Sequence, residues 1–228
     1  MSIAPPFFAS ALQARIPLEL EILYQSSRTG VTDADKLLGI ELLIEAYCDL
    51  IDTCFVGLIN EIQRHHDSKD LNEAHRILDE IKDKARHYLR WIAAFIAKDR
   101  LPPVIKHFYQ LMHQLDINGS KQAFMAFNLT PSLAAEIKQV VAALEDDSAT
   151  DFNNAIEMLI RVIDEALIPL VIEPKNLMKF NFIVNKTLDG VIALVRALFK
   201  RMLRKLAPKL PQQLYPQIAT HLKTFLIV

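Results

Sequence analysis

The sequence predicts an all-α protein, a multi-helix bundle of about seven helices with two long central helices. Apolar residues recur with a 3.6-residue period along almost the whole chain, and strand signals are almost absent. Only five glycines occur among 228 residues, which argues against a turn-rich β fold and against glycine-rich phosphate loops. A hydrophobic content of 51% and a mean hydropathy of +0.17 exclude intrinsic disorder and suffice for a single helical domain over 1–228.

Polar caps mark where the first predicted helices begin. After a proline-flanked opening, the segment "PLELEILYQSSR" predicts a first helix that ends before Gly30. Thr32 followed by Asp35 resembles a capping box, in which each residue satisfies a backbone N–H of the other. This pair therefore opens a long helix that runs to about His66.

The same device predicts the next helix, because Asp70 is followed by Glu73 three positions later. That helix ends near Asp99. The segment "LPPVIKHFYQLMHQL" then begins a further helix, since prolines are tolerated in a first helical turn. The Asn-Gly pair at 118–119 is a turn signal and stops it.

Four helices follow in the second half of the chain. A Thr-Pro start and an aspartate cap predict helices over 130–145 and 151–167. The pattern over 175–206 supports one long helix, and prolines then lead into a last amphipathic helix over 217–228. The helices at 32–66 and 175–206 are expected to form the spine of the bundle.

The net charge of −1 hides a strong division along the chain. Residues 1–174 carry 26 acidic and 16 basic side chains and form an acidic body. Residues 175–228 carry ten basic side chains against Asp189 alone and form a basic C-terminal helical segment. Such an asymmetry predicts an electrostatic partner, either within the chain or outside it.

Two helix faces concentrate these charges. The basic face lies opposite an apolar stripe and comprises Arg196, Lys200, Arg201, Arg204 and Lys205. The acidic face has spacings of four, four and three residues and comprises Glu41, Glu45, Asp49 and Asp52. Cations complement the dipole at a helix C-terminus, but that effect requires one or two charges rather than five.

Several interpretations of these faces remain open. The acidic face is either a solvated surface or a recognition surface for a basic partner. The basic face either docks against the acidic body, or binds a protein partner or a second copy of the chain, or binds an anionic membrane surface. Nucleic acid is not expected as a partner, because the domain as a whole is not basic and no helix-turn-helix is evident.

A cluster of aromatic residues gives a second candidate site. Its members, with one methionine, are Tyr88, Trp91, Phe95, Phe108, Tyr109 and Met112. Aromatic residues at this spacing belong more often to a core than to a ligand site. The functional alternative is a lipid or acyl pocket between helices, lined by these side chains.

Catalytic and metal-binding signatures are absent from the sequence. It contains no Glu-x-x-His pair, no HExxH motif and no GxSxG motif. The segments "RHHDSKD" and "EDDSATD" contain possible metal ligands, but a helix end and a solvated loop explain them better. Cys48 and Cys54 are interpreted as reduced core thiols. We therefore expect no cofactor and no metal.

The function that these patterns favour is that of a non-enzymatic binding or adaptor protein. It would engage another macromolecule, either a protein partner or an anionic membrane surface, through the basic and acidic faces. The alternative is a carrier of a lipid-like or other apolar small molecule in an inter-helical pocket. Without a signal peptide or a membrane-spanning stretch, the expected location is cytoplasmic, with attachment to the inner face of a membrane as the alternative.

Overall fold

The fold is known from a computed structural model, which describes residues 6–65, 69–117, 120–146 and 152–228. The helices are α1 (Arg15–Ser26), α2 (Asp33–Ile51), α3 (Gly57–His65), α4 (Lys69–Ala93), α5 (Leu101–Leu111), α6 (Pro131–Glu145), α7 (Asn153–Leu167), α8 (Glu173–Met178), α9 (Phe182–Leu206) and α10 (Tyr215–Leu222). The strands are β1 (Phe7–Ala11), β2 (Met112–Ile117), β3 (Ser120–Asn128) and β4 (Leu226–Ile227). The predicted multi-helix bundle is confirmed, with a small sheet added to it.

The first predicted spine helix, over 32–66, corresponds to α2, a π-helical turn at Asp52–Val56 and α3 in direct succession. We call this π-helical segment the first π turn. The predicted capping box is present, because the Thr32 hydroxyl accepts from the Asp35 N–H at 3.1 Å and the Asp35 carboxylate accepts from the Thr32 N–H at 2.9 Å. His66 lies outside the described residues.

The second predicted spine helix, over 175–206, is divided into α8 and α9. Lys179 has a φ of 50° and ends α8 in the left-handed conformation. Asn181 then caps α9, since its side chain accepts from the Val184 N–H at 3.0 Å. Asn181, which the sequence pattern placed inside one continuous helix, is thus the residue at which a new helix begins. A second π turn, Ile168–Ile172, precedes α8.

A four-stranded antiparallel sheet, with the strand order β2-β3-β1-β4, was not predicted. The helix expected over 101–115 ends at Leu111, and its last residues form β2. The β1–β3 pairing places Phe8 opposite Phe127. The Asn-Gly pair at 118–119 lies outside the described residues.

The sheet escaped prediction because its central part, β1 and residues 124–127 of β3, is buried on both faces. One face, with Phe8, Met125 and Phe127, joins the main core, and the other, with Phe7, Phe124 and Ala126, belongs to a smaller buried cluster. A strand buried on both sides has no alternation of apolar and polar residues, so its sequence resembles a core helix.

The last predicted helix, over 217–228, ends at Leu222 as α10, and the following residues return to the sheet. There β4 pairs with β1, and Leu226 is buried. The apolar segment near the end of the printed sequence is thus part of the core.

Four helices surround the region that matters for function. Helix α4 packs against both α2 and α9, and α7 packs against α9. Within the described ranges, no helix combines the length and the hydropathy needed to cross a membrane.

Candidate ligand cavity

A cavity of about 220 Å³ lies between α2, α4, α7 and α9, and we call it the main cavity. Side chains from both π turns, from α8 and from the sheet end complete its wall. The wall comprises Phe8, Leu43, Tyr47, Leu50, Ile51, Cys54, Phe55, Ile81, Ala85, Tyr88, Leu89, Ile92, Leu159, Val162, Ile163, Ala166, Leu167, Leu170, Val171, Pro174, Lys175, Met178, Leu188, Val191, Ile192, Val195, Phe199 and Phe225. Apart from a few polar groups, this is a hydrocarbon surface.

The size of the main cavity is unusual for a packed core. Protein interiors contain few voids larger than a water molecule. An apolar cavity of about 150 Å³ already stays dry and binds benzene. Unlike a closed void of that kind, the main cavity opens to the surface at one end, so its apolar wall lacks packing partners and meets water when no ligand is bound.

One end of the main cavity, which we call the closed end, is formed by four buried phenylalanines. The ring of Phe55 lies 4.8 Å from that of Phe199, and the ring of Phe8 lies 5.7 Å from that of Phe225. All four side chains are buried. This end therefore offers an apolar surface without access to solvent.

The other end, which we call the open end, lies between α4 and the first half of α9. Its lining residues are only partly buried and comprise Tyr88, Leu89, Leu188, Val191 and Ile192. From Leu188 to Phe199 the lining extends about 16 Å along the axis of α9. A volume of 220 Å³ distributed over this length suits a chain-like ligand better than a compact one.

The second π turn borders the main cavity and contains carbonyl groups that the helix does not satisfy. The Glu173 N–H donates to the Ile168 carbonyl, five residues back, instead of to Pro169. The Pro169 carbonyl oxygen is instead 2.7 Å from Nε2 of His107, on α5. A tertiary contact therefore replaces the missing helical hydrogen bond.

Proline removes a second donor from the same turn. Pro174 has no N–H, so the Leu170 carbonyl lacks the partner that an α-helix would supply. The hydroxyl of Tyr47, on α2, donates to this carbonyl. Burial raises the pKa of Tyr47, which keeps the hydroxyl protonated and able to donate.

The first π turn is completed in the same way by His221, on α10. The Gly57 N–H donates to the Asp52 carbonyl five residues back, and Nε2 of His221 lies 3.3 Å from the Cys54 carbonyl oxygen. A Cβ on Gly57 would lie 2.9 Å from Cε1 of His221, so only glycine permits this approach. Burial lowers the pKa of His221 and favours the neutral ring.

Both π turns thus lie in the wall of the same cavity, and each depends on a donor from another helix. Such turns are rare, widen the helix locally and occur frequently at functional sites. Their coincidence here indicates that the wall is shaped by specific residues rather than by loose packing.

The predicted basic face is paired with carboxylates of α4 and α7. The pairs are Arg196 and Lys200 with Asp164, Arg201 with Glu73, Arg204 with Glu157, and Lys205 with Glu73 and Asp70. Two of the contacts are bidentate, and in one of these Nε and Nη2 of Arg204 lie 3.0 and 3.2 Å from the Glu157 oxygens. Burial opposes ionisation of Asp164, but the contacts with Arg196 and Lys200 lower its pKa overall.

The predicted acidic face also has partners within the chain. Glu41 accepts from Arg90 at 3.0 Å, and Glu45 accepts from Arg15 at 3.0 Å. Asp49 accepts from Gln13, and Asp52 accepts from Lys82. The structure does not bring the two charged faces together. Each face is instead paired with other elements of the same chain. For the basic face, this agrees with the alternative in which it docks against the acidic body.

The six residues of the predicted aromatic pocket do not form one site. Tyr88 lines the main cavity at its open end. Phe108 and Met112 line a separate cavity of about 50 Å³ between α1, α2 and α5. Of the six residues in the predicted aromatic pocket, only Tyr88 lines the main cavity.

The other three members of that set contact aromatic neighbours. The Trp91 ring lies 4.8 Å from that of Phe95, and Tyr109 stacks on Tyr24 at 4.1 Å. None of these three borders either cavity. Sequence reasoning missed the wall residues of α7 and α9, which resemble ordinary core positions. The proline pair in "IPLVIEP" was the available signal for the second π turn.

Neither a metal centre nor a reactive thiol is found among the described residues. They contain no group of three or more His, Cys, Asp or Glu side chains placed to hold a metal ion. The segments "RHHDSKD" and "EDDSATD", which contain possible metal ligands, lie partly outside the described residues, at 66–68 and 147–151. Burial raises the pKa of the thiols of Cys48 and Cys54, which disfavours the reactive thiolate.

Comparisons with protein-family models, with curated proteins and with solved structures find no match for this chain. The functional argument therefore depends on the geometry of the cavity itself.

Proposed function

We propose that the protein binds a lipid-like apolar molecule in the main cavity and acts as its carrier. The observation that supports this most strongly is an apolar space of about 220 Å³ between the helices of the bundle, which opens to the surface at one end. A hydrocarbon chain bound there would gain about 0.8 kcal/mol for each methylene that it buries.

The shape of the wall supports a chain-like ligand. The phenylalanines of the closed end would meet the terminal part of the chain, and the partly buried side chains of the open end would admit it. Such a carrier would work in the cytoplasm and exchange its ligand at membrane surfaces.

The ion pairs of the basic face fit this function as structural contacts. They join α9 to α4 and α7, and these are three of the four helices that enclose the cavity. Exposed pairs of this kind are each worth about 0–1 kcal/mol, so the set as a whole helps to position α9. The predicted adaptor function through the basic and acidic faces stays a prediction. It has less support than the carrier, because the charges that motivated it have partners within the chain.

The experiment that tests the carrier function fills the cavity. Ala166 lines the cavity from α7, so Ala166→Phe places a ring in the space that the ligand would occupy. Binding of a fluorescent fatty-acid analogue is measured by the increase of its emission on titration with the purified protein. We expect wild type to bind the analogue and Ala166→Phe to lose at least tenfold in affinity.

The matched control is Ala197→Phe, which adds the same ring at an exposed position on α9. It should bind as wild type does. Filling a cavity commonly stabilises a protein by about 0.5–2 kcal/mol, so Ala166→Phe should unfold at the same or a higher temperature. Unchanged binding in a folded Ala166→Phe protein would contradict the proposal.

A further inference from the structure

We infer that the ligand of the main cavity is a single acyl chain with an anionic head group, and that Lys175 binds that head group. This inference rests on the proposed carrier function, and it adds the chemical class of the ligand. The class is that of a fatty-acid carboxylate, and a phosphate monoester on the same chain is the other source of such an anion.

Lys175 is chemically distinct from the rest of the wall. Among the described residues that line the cavity, it alone carries a formal charge at neutral pH. Its side chain is 14% exposed, whereas that of its partner Asp189 is 62% exposed. The Lys175 ammonium lies 2.5 Å from Oδ1 of this aspartate. A largely buried cation thus lies at an apolar cavity with an exposed carboxylate as its counter-ion.

The position of Lys175 gives the cavity a direction. Asp189 follows Leu188, which lines the open end on α9, so the ion pair marks that end. The opposite end is closed by phenylalanines, including Phe55 and Phe199. A cavity that is apolar at its closed end and cationic at its open end complements a molecule with a hydrocarbon tail and an anionic head.

The ion pair also explains how the site can be stable with and without ligand. A buried ammonium that lacks a counter-ion is costly. In the empty protein Asp189 supplies that counter-ion. When a ligand carboxylate takes over the contact with Lys175, the Asp189 carboxylate turns to water, which costs little because it is already mostly exposed.

Nearby charges favour the same ligand class. Lys179 is the residue that ends α8, and Lys186 is an exposed residue one turn before Asp189 on α9. The ammonium of Lys186 lies over the ring of the exposed Phe182, 5.3 Å from its centre. These two exposed ammonium groups lie four residues after Lys175 and three residues before Asp189, and long-range attraction from them would act on an anionic head group but not on a neutral one.

The test compares three probes that share one tail, namely dodecanoate, dodecyl phosphate and dodecanol. Each is titrated into the delipidated full chain, below its micelle concentration, and binding is measured by calorimetry. A hydrogen bond to a charged group supports a difference of about tenfold, so dodecanoate should bind about tenfold more tightly than dodecanol. If dodecyl phosphate binds more tightly than dodecanoate, the anion is a phosphate monoester.

Substitutions at the head-group site separate the contribution of the head group to the binding affinity from that of the tail. Lys175→Met keeps most of the length of the side chain and removes its charge, so it should weaken dodecanoate binding about tenfold and leave dodecanol binding unchanged. Lys186→Met is the matched control, with the same loss of charge at a position outside the cavity wall, and it should bind dodecanoate within about twofold of wild type. Asp189→Asn removes the competing carboxylate and should tighten dodecanoate binding about two- to fivefold.

Asp189→Asn also keeps the inference falsifiable if Lys175→Met fails to fold. If dodecanoate and dodecanol bind equally to wild type, and Asp189→Asn changes neither affinity, the inference about Lys175 is refuted while the carrier function stands. If none of the three probes binds to wild type, the carrier function itself is refuted.

Discussion

The hydrogen bond from Tyr47 to the second π turn, where Pro174 removes a helical donor, gives the sharpest test of how the cavity wall is stabilised. The Tyr47 hydroxyl donates to the Leu170 carbonyl, which lacks its α-helical donor because Pro174 has no N–H. Leu170 is buried, so Tyr47→Phe leaves a buried carbonyl without its hydrogen bond. Such a loss costs about 1–3 kcal/mol. We therefore expect Tyr47→Phe to lower the free energy of unfolding by about 1–3 kcal/mol.

The second half of this prediction is a rescue. Pro174→Ala restores a backbone N–H near the Leu170 carbonyl and makes the tyrosine donor dispensable. In the Pro174→Ala background, Tyr47→Phe should cost less than about 1 kcal/mol, because the carbonyl can return to helical hydrogen bonding. Urea denaturation of the four proteins of this double-mutant cycle, followed by circular dichroism, provides the free energies.

The control for this cycle is Tyr88→Phe, which removes a hydroxyl from the open end of the same cavity. It should change the free energy of unfolding by less than about 0.5 kcal/mol. The reasoning about the second π turn is refuted if Tyr47→Phe is as mild as Tyr88→Phe. Equal costs of Tyr47→Phe in the two backgrounds would also refute it.

Two further predictions concern the first π turn. Gly57→Ala places a Cβ 2.9 Å from Cε1 of His221 and should cost about 1–3 kcal/mol in urea denaturation, and a cost below about 0.5 kcal/mol would contradict the close approach. The folded-state pKa of His221 lies below the unfolded value of 6.5, so below about pH 6.5 the unfolded chain takes up the proton first and stability falls as the pH falls. His221→Gln should flatten the dependence of unfolding free energy on pH between about 7 and 5, because it removes the group whose pKa differs between the folded and unfolded chain. An unchanged slope in His221→Gln would show that this ring is not the group that titrates.

The features that sequence reasoning predicted are those that depend on a few neighbouring residues. The capping box of Thr32 and Asp35 is one of these, because its hydrogen bonds join residues three positions apart. The amphipathic helices are another, because a 3.6-residue period reports a buried face without requiring its partner to be known. The multi-helix bundle follows from these local signals.

The features that sequence reasoning missed depend on contacts between residues that are distant in sequence. Strand β1 and the middle of β3 are buried on both faces, so residues 124–127 resemble a helical core segment unless their pairing with β1 is known. The break between α8 and α9 depends on the positive φ of Lys179. Lysine has no preference for positive φ, so the sequence does not indicate this break. The ion pairs of the basic face join helices that are distant in sequence, so composition showed the charge but could not assign its partners.

The cavity is the clearest case of information that is absent from a single sequence. Leu159, Val162 and Val195 have the spacing of ordinary core residues, and nothing local indicates that the space between them is unfilled. A void arises from the sum of side-chain volumes set against the distances between helices, and those distances are tertiary.

The central claim is that the main cavity is a ligand site, and native mass spectrometry of the purified wild-type chain beside Ala166→Phe tests it most directly. We predict that wild type retains an apolar molecule, seen as added mass that disappears on denaturation and is recovered by organic extraction. The Ala166→Phe chain should appear at its bare mass. A wild-type chain that emerges from cells at its bare mass, and that gains no mass after incubation with dodecanoate or dodecanol, would contradict the account.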